Sequence, residues 1–254
     1  MKAILLAAGI GSRLRPLTEQ TPKCLVPLNG APLIDYWLRN FERHGVTEVL
    51  VNGFHLADQV EEHLDKARAR FDLELCFVRE PALRGTGGTV RDQFDFVREE
   101  ECFLLCHADN FSSIDLTAFR RFHASRNSIL SLALFRSDAP ERCGIVNRID
   151  SDGCIDEFVE KPKHPDSNLA SAAIFLIAPS VVADLPSDRE VNFSREILPR
   201  YQGLMYGYEM SGFNIDVGTP ADYERAKRVA LDYAPTEVNR LDSMHLEKSF
   251  SGMK

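Results

Sequence analysis

The sequence predicts an α/β fold: a doubly wound, mainly parallel, Rossmann-like sheet followed by a smaller β-rich part. Three observations carry that expectation. Residues 3–8 form an unbroken apolar run that closes on Gly9, the pattern of a strand buried on both faces of a parallel sheet. From there to about residue 106, short apolar runs alternate with amphipathic stretches of helical period, as in right-handed βαβ units. A chain of 254 residues with 44% hydrophobic content can also bury a large core in one domain.

In chain order, the first strand is expected to stop at Gly9, because Gly9 and Gly11 leave a loop without Cβ atoms. Residues 27–32 read as a turn and 33–44 as a helix ended by Gly45. A strand at 46–51, a helix at 55–69, a strand at 73–78, a helix at 86–97 and a strand at 102–106 follow, then a helix at 114–125. Beyond about Ser137 the pattern shortens to strands and turns, with Asp152-Gly153 marking a hairpin between 142–150 and 153–159. Residues 168–177 form a returning strand. Asp216 ends the last strand, and Thr219-Pro220 opens a helix with Thr at the N-cap and Pro at its first position. Asp222 and Tyr223 read as helix-start and packing residues.

A net charge of −8 argues against nucleic acid as the main partner, since polyanion binders need surplus Lys and Arg. Arg13, Arg15 and Lys23, clustered beside the glycine loop of an acidic chain, point instead to a small anionic ligand. The opening Met-Lys-Ala-Ile-Leu-Leu is too short for a signal peptide, and no apolar run reaches membrane-spanning length. A soluble, cytoplasmic protein without a membrane partner is expected. The six cysteines lack a Cys-x-x-Cys pair and read as reduced, buried thiols. His55 and His63 lack the i, i+4 spacing of a helical metal pair, so a surface or half-buried role is expected of both.

The Gly9-x-Gly11 loop admits close approach of an anion to its amides, and the neighbouring arginines add charge; an ordinary strand-to-helix turn with solvated arginines is the alternative. Neither common phosphate loop fits, because Leu14 stands where a third glycine would be and no Gly-Lys-Ser/Thr ending follows. The run Gly9-x-Gly11-x-Arg13-x-x-Pro16-x-Thr18, followed by Pro22-Lys23, resembles the signature of the sugar-1-phosphate nucleotidyltransferases. That resemblance implies that Leu6, Ala7 and Ala8 face the base, that Gly9, Gly11 and Ser12 wrap a triphosphate, and that Arg13 and Lys23 bind its phosphates.

Four further motifs occur in order. Residues 80–89 hold Gly85-Thr86-Gly87, a loop capping the next helix on its residues alone and part of the base pocket by the resemblance. Asp109 stands at the end of a strand, where a hard carboxylate suits a divalent ion, unless it only caps the following helix. The family places a metal-binding aspartate there, after a glycine that is Ala108 here. Phe158-Val-Glu160-Lys161-Pro162 resembles the motif whose lysine holds the sugar phosphate, and Ala173 replaces a glycine of the strand that touches the sugar. Around Asn192 to Pro199 a helix is implied only by the family resemblance, with Glu196 in a structural role. Asp216-x-Gly218-Thr219-Pro220-x-Asp222-Tyr223 resembles the stretch whose first aspartate is the second magnesium ligand.

The resemblance covers residues 1 to about 231. It implies a nucleotidyltransferase domain over 1–234, with an NTP-binding half (1–137) and a sugar-phosphate-binding half (138–234), and a polar tail at 235–254 without hexapeptide repeats. That is a short, mannose-1-phosphate guanylyltransferase-like form lacking a β-helix domain. It implies Mg²⁺ held by Asp109 and Asp216, catalysis by Arg13, Lys23, Asp109, Lys161 and Asp216, and acceptor contacts from Asn110, Glu160, Lys161, Ser171 and Asp216. GTP and a manno-configured sugar 1-phosphate are favoured by Arg-Leu-Arg-Pro-Leu-Thr and Lys-Cys-Leu-Val-Pro. A uridylyl- or thymidylyltransferase, a cytidylyltransferase for a non-sugar phosphate, and a non-catalytic nucleotide-sugar sensor are the alternatives, and a homodimer is left open.

Overall fold

The computed structural model describes residues 1–183 and 185–233, so the tail expected at 235–254 lies outside the described residues. Strand β1 (Lys2–Leu6) shows why the opening run is apolar throughout. Ala3 and Leu5 face one core with Trp37, Phe41 and Phe119, while Ile4 faces another with Val90, Val97 and Phe175. Period-two alternation puts successive side chains on opposite faces, so a strand covered on both has no polar positions. The strand ends at Leu6, before Gly9. The Ala7 amide leaves the ladder for Asn52 Oδ1 at 2.7 Å, and the Leu6 carbonyl is taken by the Ala108 amide at 2.9 Å.

A short hairpin, β2 (Pro27–Leu28) and β3 (Ala31–Pro32), precedes α1 (Leu33–Arg43), β4 (Glu48–Gly53), α2 (Ala57–Ala67) and β5 (Glu74–Arg79). His55 falls just outside α2 and bonds the Thr18 carbonyl at 3.2 Å, while His63 bonds Asp35 Oδ1 at 2.6 Å, so both tie elements together. The single helix expected at 86–97 is two, α3 (Gly85–Asp92) and α4 (Phe94–Val97), because Gln93 leaves helical dihedrals at φ −107° and ψ 22°. β6 (Phe103–His107) and β7 (Asn110–Ser112) follow, then α5 (Leu116–Ser125), whose cap is Asp115 and not Asp109.

The second half consists of β8 (Leu130–Arg136), β9 (Gly144–Ile149), β10 (Ile155–Glu160), β11 (Leu169–Ile177), β12 (Tyr206–Glu209), β13 (Asn214–Asp216) and α6 (Pro220–Tyr233). β8 and β12 escaped the sequence reading. The helix expected near 192–199 is one π turn, Phe193–Ile197, running into a 3₁₀ turn at Leu198–Tyr201. Pro199 has no amide to continue an α-helix.

The nine-stranded sheet runs β10-β9-β11-β6-β1-β4-β5, with β8 paired to β11 and β12 to β8. β6, β1, β4 and β5 are parallel, and β11 joins β6 antiparallel, where the β-rich part begins. A separate ribbon, β7 with β13, sits past the carboxyl end of β6 and pairs Asn110 with Asp216. A third core of Leu14, Phe111, Ile215, Val217 and Ala226 fastens it to the N-terminal loop and α6. All six cysteines are free thiols, and among the described residues no helix is long and apolar enough to cross a membrane.

His123 on α5 is 7% exposed and shares a 2.8 Å hydrogen bond with Ser131 Oγ. Burial pushes its pKa down to about 4. The unfolded chain therefore takes up this proton near pH 6.5 and the folded chain only near 4, so stability falls as pH drops through that window, by at most about 1.4 kcal/mol per pH unit. Urea unfolding at pH 7 and pH 5 is expected to show a smaller loss in His123→Asn than in the wild type; equal losses would mean that His123 does not carry the slope.

Candidate active site

The ribbon β7–β13 sets the centre of the site. Asp109 immediately precedes β7 and Asp216 ends β13, and the Val217 amide donates to the Asp109 carbonyl at 2.9 Å. Two carboxylates separated by more than a hundred residues are thereby brought to one point. Lys23 Nζ bridges them, bonding Asp109 Oδ2 closely and Asp216 Oδ1 at 3.1 Å. Burial works to lower the Lys23 pKa, but the two carboxylates outweigh it and the ammonium titrates above its usual range. Burial likewise works to raise Asp109, yet Lys23 and the neighbouring His107 hold its carboxyl below the usual value. Lys23 and Asp109 are thus both ionised at neutral pH.

Arg13 Nη2 stands 3.8 Å from Asp216 Oδ2 on a side chain 59% exposed, so its remaining donors are available to a ligand. It belongs to a 3₁₀ turn, Ser12–Leu14, whose Leu14 is sunk in the third core. Gly11 has φ +68° and a Cβ there would sit 2.9 Å from Thr18 Cγ2, so the loop's turn against Thr18 requires glycine. Gly9 faces open space and Ser12 is exposed. A Cβ on Gly218 would lie 2.9 Å from Arg13 Nη2 and 3.0 Å from Asp216 Oδ2, so a side chain there would push both groups aside.

Gly85, Thr86 and Gly87 lie against residues 191–193. Val191 O accepts from the Gly87 and Gly88 amides at 2.8 and 3.1 Å, and Thr86 Oγ1 accepts from the Phe193 amide at 2.9 Å. Close packing against Val191, 2.5 Å from a Cβ built on Gly85, accounts for the glycines.

Beside the two aspartates opens a cleft of about 300 Å³. Arg13, Asp109 and Asp216 line it together with Asn110, Glu160, Lys161 and Ser171. The acceptor-side residues predicted from sequence therefore share one cavity. Lys161 takes a left-handed φ of +50° after β10, held by its amide's 3.0 Å bond to the Cys143 carbonyl, and its ammonium is half exposed. Burial raises the Glu160 carboxyl pKa against the pull of Lys161 and Arg195. Ala173 also lines the cleft, at a break in the β11–β8 register, with φ +54°. A left-handed alanine costs about 1 kcal/mol.

The two carboxylates also pass a test for a metal. They are hard oxygen donors converging on one point, and Mg²⁺ is commonly held by one or two carboxylates with phosphate oxygens completing the shell. Among the described residues no group of three or more metal-binding side chains gathers.

Sequence reading passed over Glu80, which stands 8% exposed just after β5. Asn52 Nδ2 at 3.0 Å and the Thr89 hydroxyl both donate to its Oε1, and Asn52 Oδ1 in turn accepts from the Ala7 amide. Oε2 has no hydrogen-bond partner among the described residues. The network ties the loop after β1 to that after β5 and leaves the second carboxylate oxygen of Glu80 outside it. The available signal was the one used for Asp109, a carboxylate at the carboxyl end of a parallel strand.

The family model for nucleotidyl transferases matches residues 2–232. Mannose-1-phosphate guanylyltransferase 1 of Arabidopsis thaliana is 31% identical over 91% of this chain and 65% of its own length, and mannose-1-phosphate guanyltransferase beta-A of Xenopus laevis is 28% identical over 88% and 62%. The chain thus spans less than two thirds of these relatives. Among solved structures, a Bacillus anthracis protein assigned as a glucose-1-phosphate thymidylyltransferase superposes with a TM-score of 0.81 at 28% identity, covering 91% of this chain and 95% of that one. HddC from Yersinia pseudotuberculosis gives 0.75 at 25%, covering 89% and 98%.

Proposed function

As this chain belongs to the nucleotidyl transferase family, we propose that it transfers a nucleotidyl group from GTP to a manno-configured sugar 1-phosphate, releasing pyrophosphate. The observation that carries the reading is the pair of carboxylates, Asp109 and Asp216, joined through Lys23 in a cleft that Lys161 also lines. Residues 1–137 serve the NTP and 138–234 the sugar phosphate. The free thiols fit a reducing, cytoplasmic setting.

In the reaction, an acceptor phosphate oxygen forms a bond to the α-phosphorus as the bond to the pyrophosphate oxygen breaks. The nucleophile is already anionic near neutral pH, since a phosphomonoester's second pKa is about 6. No protein base is required, and the work is positioning and charge neutralisation. Asp109 and Asp216 would hold Mg²⁺, which when bound supplies positive charge to the phosphoryl oxygens. Lys23 fixes the two carboxylates relative to each other, Arg13 offers its free donors to the triphosphate, and Lys161 orients the acceptor phosphate.

GTP is favoured over the other bases by Glu80. Its unpartnered Oε2 only accepts when the carboxyl is ionised, and guanine is the common base that offers two adjacent donors, N1–H and N2–H. Uracil and thymine offer one donor between two acceptors.

Pyrophosphate release with Mg²⁺ from GTP, UTP, CTP, dTTP and ATP, each against a panel of sugar 1-phosphates and phosphorylated alcohols, tests the reading. A signal specific to GTP with mannose 1-phosphate or a manno-configured heptose 1-phosphate is expected. Silence throughout, with a nucleotide sugar still bound in calorimetry, would replace the enzyme by a sensor.

A further inference from the structure

Asn214 played no part in the sequence reading, and resting on the function proposed above, we propose that it selects the acceptor by receiving a hydrogen bond from one of its sugar hydroxyls. Asn214 lies on β13 two residues before Asp216, so the two side chains share one face of the strand, roughly 6–7 Å apart along it. It lines the acceptor cleft and is 8% exposed. Its Nδ2 donates at 3.3 Å to the carbonyl of Ala172, which also accepts from Asn110 Nδ2 at 2.8 Å. Its Oδ1 is buried with no hydrogen-bond partner among the described residues.

Buried amide oxygens are rarely left without a donor, because the lost hydration is uncompensated. Only one other described side-chain atom shares that condition, Asn147 Oδ1. Asn147 lies on β9 away from the cleft wall, with its Nδ2 on Glu157. Asn214 itself lines the cleft, so a turn of its amide on acceptor binding brings Oδ1 to a donor there. The phosphate of the acceptor is claimed by the Asp216 and Lys161 end, so what lies one strand step away is the sugar ring, whose hydroxyls are donors. The shared grip of Asn110 and Asn214 on Ala172 further fixes the register break that turns Ser171 and Ala173 to the cleft. Removing the Asn214 amide leaves Asn110 to hold that carbonyl.

The test is a cycle of wild type and Asn214→Leu against mannose 1-phosphate and its 2-, 3-, 4- and 6-deoxy analogues, read as kcat/KM for the acceptor with GTP saturating. In the wild type one deoxy analogue is expected to lose about tenfold, the worth of a typical hydrogen bond. In Asn214→Leu that penalty vanishes, while those of the other analogues and the KM for GTP stay unchanged. Its melting temperature is expected at or above that of the wild type, since an unpaired buried oxygen has gone; Asn214→Ala serves as the second variant should the leucine not fit. Active variants that keep every deoxy penalty would overturn the proposal alone. A wild type that uses no sugar 1-phosphate, but does use a phosphorylated alcohol, would overturn it together with the acceptor class above.

Discussion

Asparagine in place of Asp109 or of Asp216 is expected to lower pyrophosphate release by about a thousandfold or more, equivalent to ~4 kcal/mol of transition-state stabilisation. The substitution keeps the shape of the side chain and removes one negative charge from a point where two converge. With one carboxylate, Lys23 still has a counterion, but the divalent site is left with a single anionic ligand. The two variants should separate in stability. Asp109 is 29% exposed and bonds Lys23 closely, so its loss deprives an 8% exposed ammonium of its nearest partner, and removing one member of a buried pair costs up to several kcal/mol. Asp216 is 49% exposed and its bond to Lys23 is longer, 3.1 Å, so Asp216→Asn should melt close to the wild type. Thermal melts beside single-turnover assays distinguish lost chemistry from lost fold. Either variant retaining more than a tenth of wild-type turnover would remove the carboxylate pair from the mechanism.

The parallel half of the fold was legible because each of its strands is covered on both sides and each helix on one, which writes period and hydrophobicity directly into the chain. β8 was missed for the converse reason. Leu130–Arg136 follows a helix and is a short apolar run that could continue it or begin a strand, and only its pairing with β11 and β12 decides. The site divides in the same way. Asp109, Lys161 and Asp216 sit in strings whose types and spacing are restricted, whereas the roles proposed for Glu80 and Asn214 rest on what lies across from them. Glu80 acquires its character from Asn52 and Thr89, and Asn214 from the absence of any partner for Oδ1. Neither relation is local in sequence. The glycines of α3 carry a constraint that their spacing does not show: the atoms nearest a Cβ on Gly85 or Gly87 are those of Val191.

Glu80→Gln is expected to change which base the enzyme prefers. Two donors converge on Glu80 Oε1, from Asn52 at 3.0 Å and from Thr89, so a glutamine would keep its carbonyl oxygen on that side and present its amide nitrogen where Oε2 stood. The reading edge then offers a donor in place of an acceptor. Guanine N1–H and N2–H would face N–H groups, and a lost bidentate pair of this kind is worth about 1–3 kcal/mol, or roughly ten- to a hundredfold in kcat/KM for GTP. Uracil and thymine, which carry carbonyl oxygens on that edge, would gain a partner, so UTP and dTTP should rise relative to GTP while the KM for the acceptor is unchanged. Competition of GTP with UTP in one reaction, with both nucleotide-sugar products quantified, reads the ratio directly. A ratio unmoved by the substitution would place base selection in the backbone of residues 6–8 instead, and Glu80 would then be a strut between two loops and nothing more.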